Sequence, residues 1–467
     1  MYFISDRKMM EHYCPWDSYH IEIPERLKVI LNRLKETGLD LQLTKLKSRC
    51  ATEEEIGIIH TKRYIEHLKS TKHMNVKELE QFSSGYEDIY VNNNSYDLSL
   101  LSAGCVIELV ANVFRTGVNG FAAVRPPGHH AFPDGGCGFC LFNNVAIAAK
   151  HALSYGAKRV LIIDWDVHAG QGTQECIEED ENIRLVSIHR YENGHFWPNL
   201  ERSAVKTHCE CTQHSKSVLI RNTINVPLND IGIDDSDFLA IFQLIVLPVV
   251  YDFHPDLILV SCGFDAALGD PEGEMCISPA GYGTLTKILM NTGVPLVMVL
   301  EGGYFLESVQ SDFEFVIRTL MGDDPPCVEI KVCEPEFQGK RVLPIPFPTR
   351  GVYTKRSDEI VDEFSRKLKR ILDGYIRQPQ FYRSISINLR ENVALTSSCT
   401  QERFELTVSK EVYGFLHLLV SLSINPLSSP VSDISLSSTT SLVLKAFEEL
   451  LRQKNTPNFP FLPFMDI

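Results

Sequence analysis

Apolar residues along this chain fall into two patterns. In the first they share one helical face: Leu27, Ile30, Leu31 and Leu34 do so within Pro24–Gly38, which predicts an amphipathic helix opened by proline and stopped by glycine. Leu98–Val113 repeats the spacing through Leu101, Cys105, Leu109 and Val113, and Thr52 with Glu55 reads as the capping box of another helix. In the second pattern short apolar runs stand unbroken, at Gly120–Val124, Val160–Ile163, Leu257–Val260 and Pro295–Leu300. Such runs suit strands covered on both faces, although periodicity alone also fits Val160–Ile163 to a short buried helix. The stretches between them leave room for crossover helices, Asp237–Val250 among them. The alternation predicts an α/β domain with a helix-covered parallel sheet.

Each run leads into a polar or glycine-rich group: Arg125-Pro-Pro-Gly-His-His130, Asp164-Trp-Asp-Val-His168, Ser261-Cys-Gly-Phe-Asp265 and Glu301-Gly-Gly-Tyr304. Ligands bind at the carboxyl ends of such strands, so four ends converging on one pocket are expected. Strand alternation would place Asp164, Asp166 and His168 on one side. Taken singly, each fits an ordinary paired polar group at a strand end. Together with Asp265, however, Asp166 and His168 make two carboxylates and an imidazole, a ligand set that leaves a position open for water or substrate. His129 and His130 follow a turn stiffened by Pro126-Pro127 and Gly128, which aims both imidazoles for proton transfer. Tyr304, on a flexible glycine turn, can donate a hydrogen bond to a developing oxyanion, although alone it reads as a buried tyrosine with a paired hydroxyl. Together these groups describe metal-assisted hydrolysis of an amide, with His130 activating water and Tyr304 stabilising the oxyanion.

Charge narrows the substrate. Among 467 residues, 45 basic against 60 acidic give a formal net charge of −15, which disfavours direct nucleic-acid binding or anionic lipid and suits a cationic substrate. The first residues lack a signal-peptide pattern, and no run is read as approaching the ~20 apolar residues of a membrane span. Thirteen dispersed cysteines argue for reduced thiols. A soluble protein of the cytoplasm and/or nucleus, not secreted, is expected. Beyond Pro335 the chain changes character: a proline-rich connection at Pro344–Pro348, a charged helix-like stretch Asp358–Gly374, an apolar run Tyr413–Leu422 and a Ser/Thr-rich linker at 421–441. This divides the chain into a catalytic domain, 1–375, and a partly flexible extension of unknown role, 376–467.

The four motifs, in this order and at these separations, strongly resemble the zinc-dependent histone deacetylase family, class II, over roughly residues 1–375. The resemblance implies the arginase/deacetylase fold, a three-layer α/β/α domain around an eight-stranded parallel sheet, and hydrolysis of N-acetyl-lysine on histones or other proteins such as tubulin. It implies zinc ligands Asp166, His168 and Asp265, the tandem histidines His129 and His130, Asp164 as the partner orienting His129, and Tyr304 as oxyanion donor. A structural potassium would use Asp164 and Ser187 with main-chain oxygens of Asp166 and His168. Gly138, Phe139 and Trp197 fall where the family lines its acetyl-lysine tunnel. Pro15-Trp-Asp, Ile23-Pro-Glu-Arg-Leu27 and Gly269-Asp-Pro-Glu-Gly-Glu-Met275 are most similar to class IIb. In that class Glu272 matches the gatekeeper carboxylate of polyamine deacetylases, which makes an acetylated polyamine the alternative substrate. Asp17-Ser-Tyr-His-Ile-Glu22 lacks the narrowing segment those enzymes carry, which keeps protein substrates, and corepressor or cytoskeletal partners, in play. Two positions depart from the family: Ala169 replaces a second histidine, and Glu87 replaces the rim aspartate that clamps substrate backbone.

Three competing signals remain. Cys137-Gly-Phe-Cys140 has the spacing of a redox pair. His208-Cys-Glu-Cys-Thr-Gln-His214 is dense in soft ligands, although a surface loop of chance composition reads the same. The chain could also be a catalytically silent scaffold binding acetylated tails, against which retention of every ligand and Tyr304 argues.

Overall fold

The computed structural model describes residues 1–205 and 222–326, with the backbone of two short strands, Lys331–Val332 and Val352–Tyr353. The chain divides into two units, Met1–Val246 with Phe253–Arg366 and Leu247–Asp252 with Lys367–Ile467. The sheet and every site residue belong to the first. His208–His214, Pro344–Pro348, Asp358–Gly374, Tyr413–Leu422, residues 421–441 and the expected boundary at 375 lie outside the described residues.

Eight strands, β1 Tyr2–Ile4, β2 Thr44–Lys45, β3 Gly120–Ala122, β4 Val160–Asp164, β5 Ile183–Arg190, β6 Thr223–Leu228, β7 Leu257–Cys262 and β8 Leu296–Leu300, form one sheet in the order β2-β1-β3-β8-β7-β4-β5-β6. Every pairing in it is parallel. The four unbroken apolar runs are therefore four neighbours, β3-β8-β7-β4. Their residues are buried throughout, because strands covered by helices on both faces have no solvent side to alternate toward. The strands that the pattern did not reveal sit toward the margins. β1 and β2 are too short to show a period, β5 carries Arg184, Ser187, His189 and Arg190, and edge strand β6 accommodates Pro227.

The predicted helices form with shifted ends. Glu25–Glu36 follows Pro24 and stops before Gly38, whose φ of 70° is the left-handed conformation that a helix exit favours. Thr52 and Glu55 make the capping box, with reciprocal bonds of 3.2 and 2.8 Å. The 237–250 stretch is helical from Asp235 to Phe253, interrupted by a π turn at Phe242–Val246. Pro248, two residues on, has no N–H for a regular ladder. Helix Ser95–Thr116 corrects the reading that no run is long and apolar enough to span a bilayer: by length and composition alone its 22 residues, like Asp235–Phe253, contain an 18-residue stretch of mean hydropathy 1.6. Ser95–Thr116 is buried on most of its circumference, with Gly104 so close to the 49–51 backbone that a Cβ would meet Arg49 O at 2.2 Å. Serines spaced through it pack inside the domain as small residues, which is why its apolar character did not read as one continuous run.

A buried ion cluster ties the N-terminal loop to the sheet. The Glu22 carboxylate accepts from Arg26 Nη1 at 2.7 Å, from Arg125 Nε and Nη2 at 2.5 and 2.6 Å, and from the Tyr90 hydroxyl. Despite the burial penalty, the two guanidiniums hold Glu22 well below the usual carboxylate range. Asp312, in helix Leu306–Met321, is the opposite case: both oxygens are buried without a hydrogen bond, and burial pushes its carboxyl well above the usual range.

Two stability measurements follow from these acids. Glu22→Gln leaves two buried guanidiniums without a counter-charge and is expected to cost about 3–5 kcal/mol in denaturant unfolding. Asp312 is protonated when folded and ionised when unfolded, so its burial costs more stability as pH rises above the unfolded value near 4. Asp312→Asn should therefore be more stable than wild type at pH 7, with the gain vanishing below about pH 4.

Candidate active site

The site lies at the carboxyl ends of β3, β8, β7 and β4. β4 ends at Asp164, and the three expected groups converge by a route other than strand pleating. Asp164 Oδ1 accepts the Asp166 N–H at 3.1 Å and Asp166 Oδ1 accepts the His168 N–H at 3.0 Å, two successive side-chain-to-backbone turns. These gather the side chains where the chain has already left the extended conformation. From β7, Asp265 enters, its Oδ1 accepting the Val167 N–H at 2.8 Å.

His168 Nδ1 lies 3.2 Å from Asp166 Oδ1 and 3.3 Å from Asp265 Oδ2, and one donor atom from each residue falls within 4.8 Å of the others. Asp265 Oδ2 is buried without a hydrogen bond. Glycines make the space: a Cβ on Gly302 would stand 2.0 Å from Asp265 Oδ2 and 2.6 Å from Asp166 Oδ2, and one on Gly263 would stand 2.2 Å from the latter. Two carboxylates and an imidazole, buried and facing one point, with one oxygen that accepts no hydrogen bond, fit a divalent metal. Burial, then the neighbouring Asp166, push the Asp265 carboxyl up to about 7.

Beside this cluster the two histidine rings lie tilted by 38° with centroids 3.8 Å apart. Glu301, after β8, fixes their turn by accepting the Gly128 and His129 N–H groups at 2.7 and 3.2 Å. The two imidazoles have different partners. His129 Nδ1 is 3.0 Å from Asp164 Oδ2, and Asp166 with Asp164 raise its pKa well above the usual value against the opposing effect of burial. His130 Nδ1 is 2.8 Å from Gln171 Oε1. That amide oxygen can only accept, so Nδ1 carries the hydrogen and Nε2 keeps its lone pair. Burial and the two neighbouring imidazoles hold His130 well below the usual value.

Tyr304 is not on a flexible turn. Gly302 N–H donates to Asp166 Oδ2 at 2.8 Å, Arg26 Nε donates to Gly303 O at 2.6 Å, and Tyr304 N–H donates to Asp270 Oδ2 at 2.6 Å. The Arg26 guanidinium lies 5.0 Å from the phenol ring, and burial pushes the phenol well above its ordinary value, which keeps it a donor. Asp270 also accepts the Glu272 N–H at 3.0 Å, and Arg190 Nη1 donates to Glu272 O at 3.2 Å. Half-buried Glu272 thus sits on the loop that anchors Tyr304.

Aromatic rings border the cluster. Phe139 lies 5.9 Å from Tyr304 and 4.9 Å from His20, and Trp197 lies 4.7 Å from His130 and 5.7 Å from His168. A Cβ on Gly138 would meet His130 at 2.5 Å and Trp197 at 2.6 Å. Ala169 is buried. Ser187 pairs in register with Asp164, its hydroxyl 2.8 Å from His189 Nδ1. The Glu87 carboxylate accepts from Trp197 Nε1 at 2.9 Å. The residues of the four strand-end motifs, with Glu87, Gly138, Phe139, Trp197, Ser187 and Glu272, therefore lie in this region or on its supporting elements. Gln171, Arg26, Glu22, Asp270, Arg190 and His20 gave no warning, because their partners are up to 277 positions away and only Glu22 and Arg26 interact at helical spacing. The redox reading of Cys137 and Cys140 fails. The two face each other across a tight two-residue turn, with backbone bonds of 3.1 and 2.9 Å, and the pair does not open the helix that follows, Asn144–Ser154, whose cap is Asn143. Burial pushes Cys137 up to about 12 and Cys140 well above its ordinary value, so neither offers a thiolate.

Residues 20–320 match the family described as Histone deacetylase domain. The chain is 44% identical over 328 residues to the polyamine deacetylase HDAC10 of Danio rerio, covering 69% of this chain and 48% of that protein. It is 40% identical over 316 residues to HDAC10 of Homo sapiens, covering 67% and 46%, and 39% identical over 316 residues to histone deacetylase 6 of Caenorhabditis elegans, covering 66% and 32%. The chain thus spans about half or less of the length of these relatives. Among solved structures, that of the HDA15 HD domain superposes with a TM-score of 0.63 at 36% identity, over 69% of this chain and 91% of that one.

The glycine cradle yields a test. Gly302→Ala drives a methyl into the space between Asp166 and Asp265, so metal content by mass spectrometry should fall to background while circular dichroism stays native.

Proposed function

Because the chain belongs to the histone deacetylase family, we propose that it is a zinc-dependent amidohydrolase that removes acetyl groups from amines carried on an aliphatic stem. The observation that carries this reading is the convergence of Asp166, His168 and Asp265 within reach of both histidines, against the glycine turn that leads to Tyr304. These three residues would hold the metal, which when bound supplies Lewis-acid polarisation of the substrate carbonyl and of a water. His130 takes the proton from the attacking water at Nε2, the nitrogen that Gln171 leaves free. His129, held by the carboxylates of Asp164 and Asp166, carries positive charge beside the reacting carbonyl and helps return a proton to the departing amine. The Tyr304 hydroxyl donates to the oxyanion, its backbone fixed by Asp270 and by Arg26 through Gly303. Phe139 and Trp197 would flank the aliphatic stem, whose methylenes gain by packing on aromatic faces while the amine head stays in water. A monovalent cation such as potassium, held by Asp164, Ser187 and the main-chain oxygens of Asp166 and His168, would stiffen the end of β4.

We favour an acetylated polyamine as substrate. Glu272 on the Tyr304-anchoring loop offers a carboxylate to a second amine, the net charge of −15 attracts cations, and the relatives cited first are polyamine deacetylases. Acetyl-lysine in a protein such as a histone or tubulin is the second reading. It is favoured by the loop Asp17–Glu22, which lacks the narrowing segment and leaves Tyr19 93% exposed. Both readings place the protein where acetylated amines occur, in cytoplasm or nucleus.

The deciding assay compares kcat/KM on acetylspermidine and on an acetyl-lysine peptide in zinc-loaded protein. Acetylspermidine is expected to be preferred, with Glu272→Leu reversing the order; a peptide preference insensitive to Glu272 would sink the polyamine reading. Tyr304→Phe should lower kcat on either substrate by about 100- to 1000-fold. No turnover of either by wild type would leave a binding scaffold.

A further inference from the structure

Glu87 is bonded to both aromatic sides of the site. Its carbonyl accepts the Gly138 N–H at 3.0 Å, the next carbonyl, of Asp88, accepts the Phe139 N–H at 2.6 Å, and its carboxylate accepts from Trp197 Nε1 at 2.9 Å. Both held segments need holding. Phe139 has φ 65° and Asp88 has φ 50°, left-handed conformations that residues with a Cβ keep only when the surroundings impose them. Trp197 belongs to a short loop, Tyr191–Leu200, that carries no regular element beyond the 3-10 turn Glu192–Gly194. The shorter carboxylate of an aspartate at position 87 would lose about one methylene of reach, roughly 1.5 Å of a 2.9 Å bond. One of its two carboxylate oxygens is thus engaged within the protein, by the indole.

We propose that Glu87 is a positioning residue that sets the separation of the Phe139 turn and the Trp197 indole, through its backbone on one side and its carboxylate on the other, and that it does not clamp the backbone of a peptide substrate. Specificity at the mouth then comes from slot width, which every aliphatic stem feels equally, and not from recognition of a peptide group. The activity arm of the test rests on the deacetylase reading; the spectroscopic arm does not.

The chain has three tryptophans, so the Trp197 indole 1H–15N resonance can be identified by its loss in Trp197→Phe. In the zinc-loaded full chain, Glu87→Ala should shift or broaden that resonance. It should also raise KM by the same factor, about tenfold, for acetylspermidine and for an acetyl-lysine peptide, consistent with losing one charge-assisted hydrogen bond, with kcat little changed. Glu87→Gln should recover part of both readouts, because its amide oxygen accepts the same bond without the charge, whereas Glu87→Asp should behave like alanine. An indole resonance unmoved in Glu87→Ala overturns the proposal, as does a KM increase confined to the peptide, which is the behaviour of a clamp. If wild type turns over neither substrate, the deacetylase reading fails and the indole resonance alone decides whether Glu87 positions Trp197.

Discussion

The constraint on which this structure depends is the burial of negative charge. Asp164, Asp166, Asp265 and Glu301 are all fully buried at the ends of neighbouring strands, where unpaired carboxylates repel one another and pay a large desolvation cost. The fold answers with fixed dipoles. N–H groups of Gly128, His129, Asp166, Val167, His168 and Gly302 all point at these acids, and a parallel sheet presents such loops together on one edge. What the amides leave incompletely balanced is a locus of negative potential suited to a cation.

Around this centre lies a second electrostatic layer of opposite construction. Glu22 sits between two arginines, and those arginines spend their remaining donors on backbone: Arg125 on Met9 O and His12 O, Arg26 on Glu301 O and Gly303 O. Removing either charge type would strand the other in a dry interior. The pairing therefore transmits rigidity from the N-terminal loop to the glycine turn that carries Tyr304. That explains how two consecutive glycines can hold a phenol in place: the turn needs glycine for space beside Asp166 and Asp265, and its stiffness comes from Arg26 and Asp270.

The two histidines show how one dipeptide serves two tasks. Their backbones share one clamp, Glu301, but the partner of each ring differs: a carboxylate for His129, an amide for His130. A charged partner stabilises imidazolium and a neutral one does not, so neighbours in sequence diverge in basicity through residues 35 and 41 positions away.

The sequence by itself determined the core of the fold. Val160–Ile163, Leu257–Val260 and Pro295–Leu300 read as strands buried on both faces between helical stretches, with a short buried helix left open for the first, and their polar ends named most of the candidate site. It singled out a candidate ligand set too, since Asp166, His168 and Asp265 are recognisable by residue type. Tertiary structure alone decided how these groups act. The convergence of Asp164, Asp166 and His168 comes from side-chain-to-backbone turns beyond the strand, which strand alternation cannot foresee. Gln171 as the partner of His130, Asp270 as the anchor of Tyr304, and Glu87 on Trp197 are long-range pairings between groups that local periodicity treats as ordinary solvated residues. The physical reason is that burial pattern is a local property written every two or four residues, whereas a partner is chosen by where the completed sheet brings distant loops together.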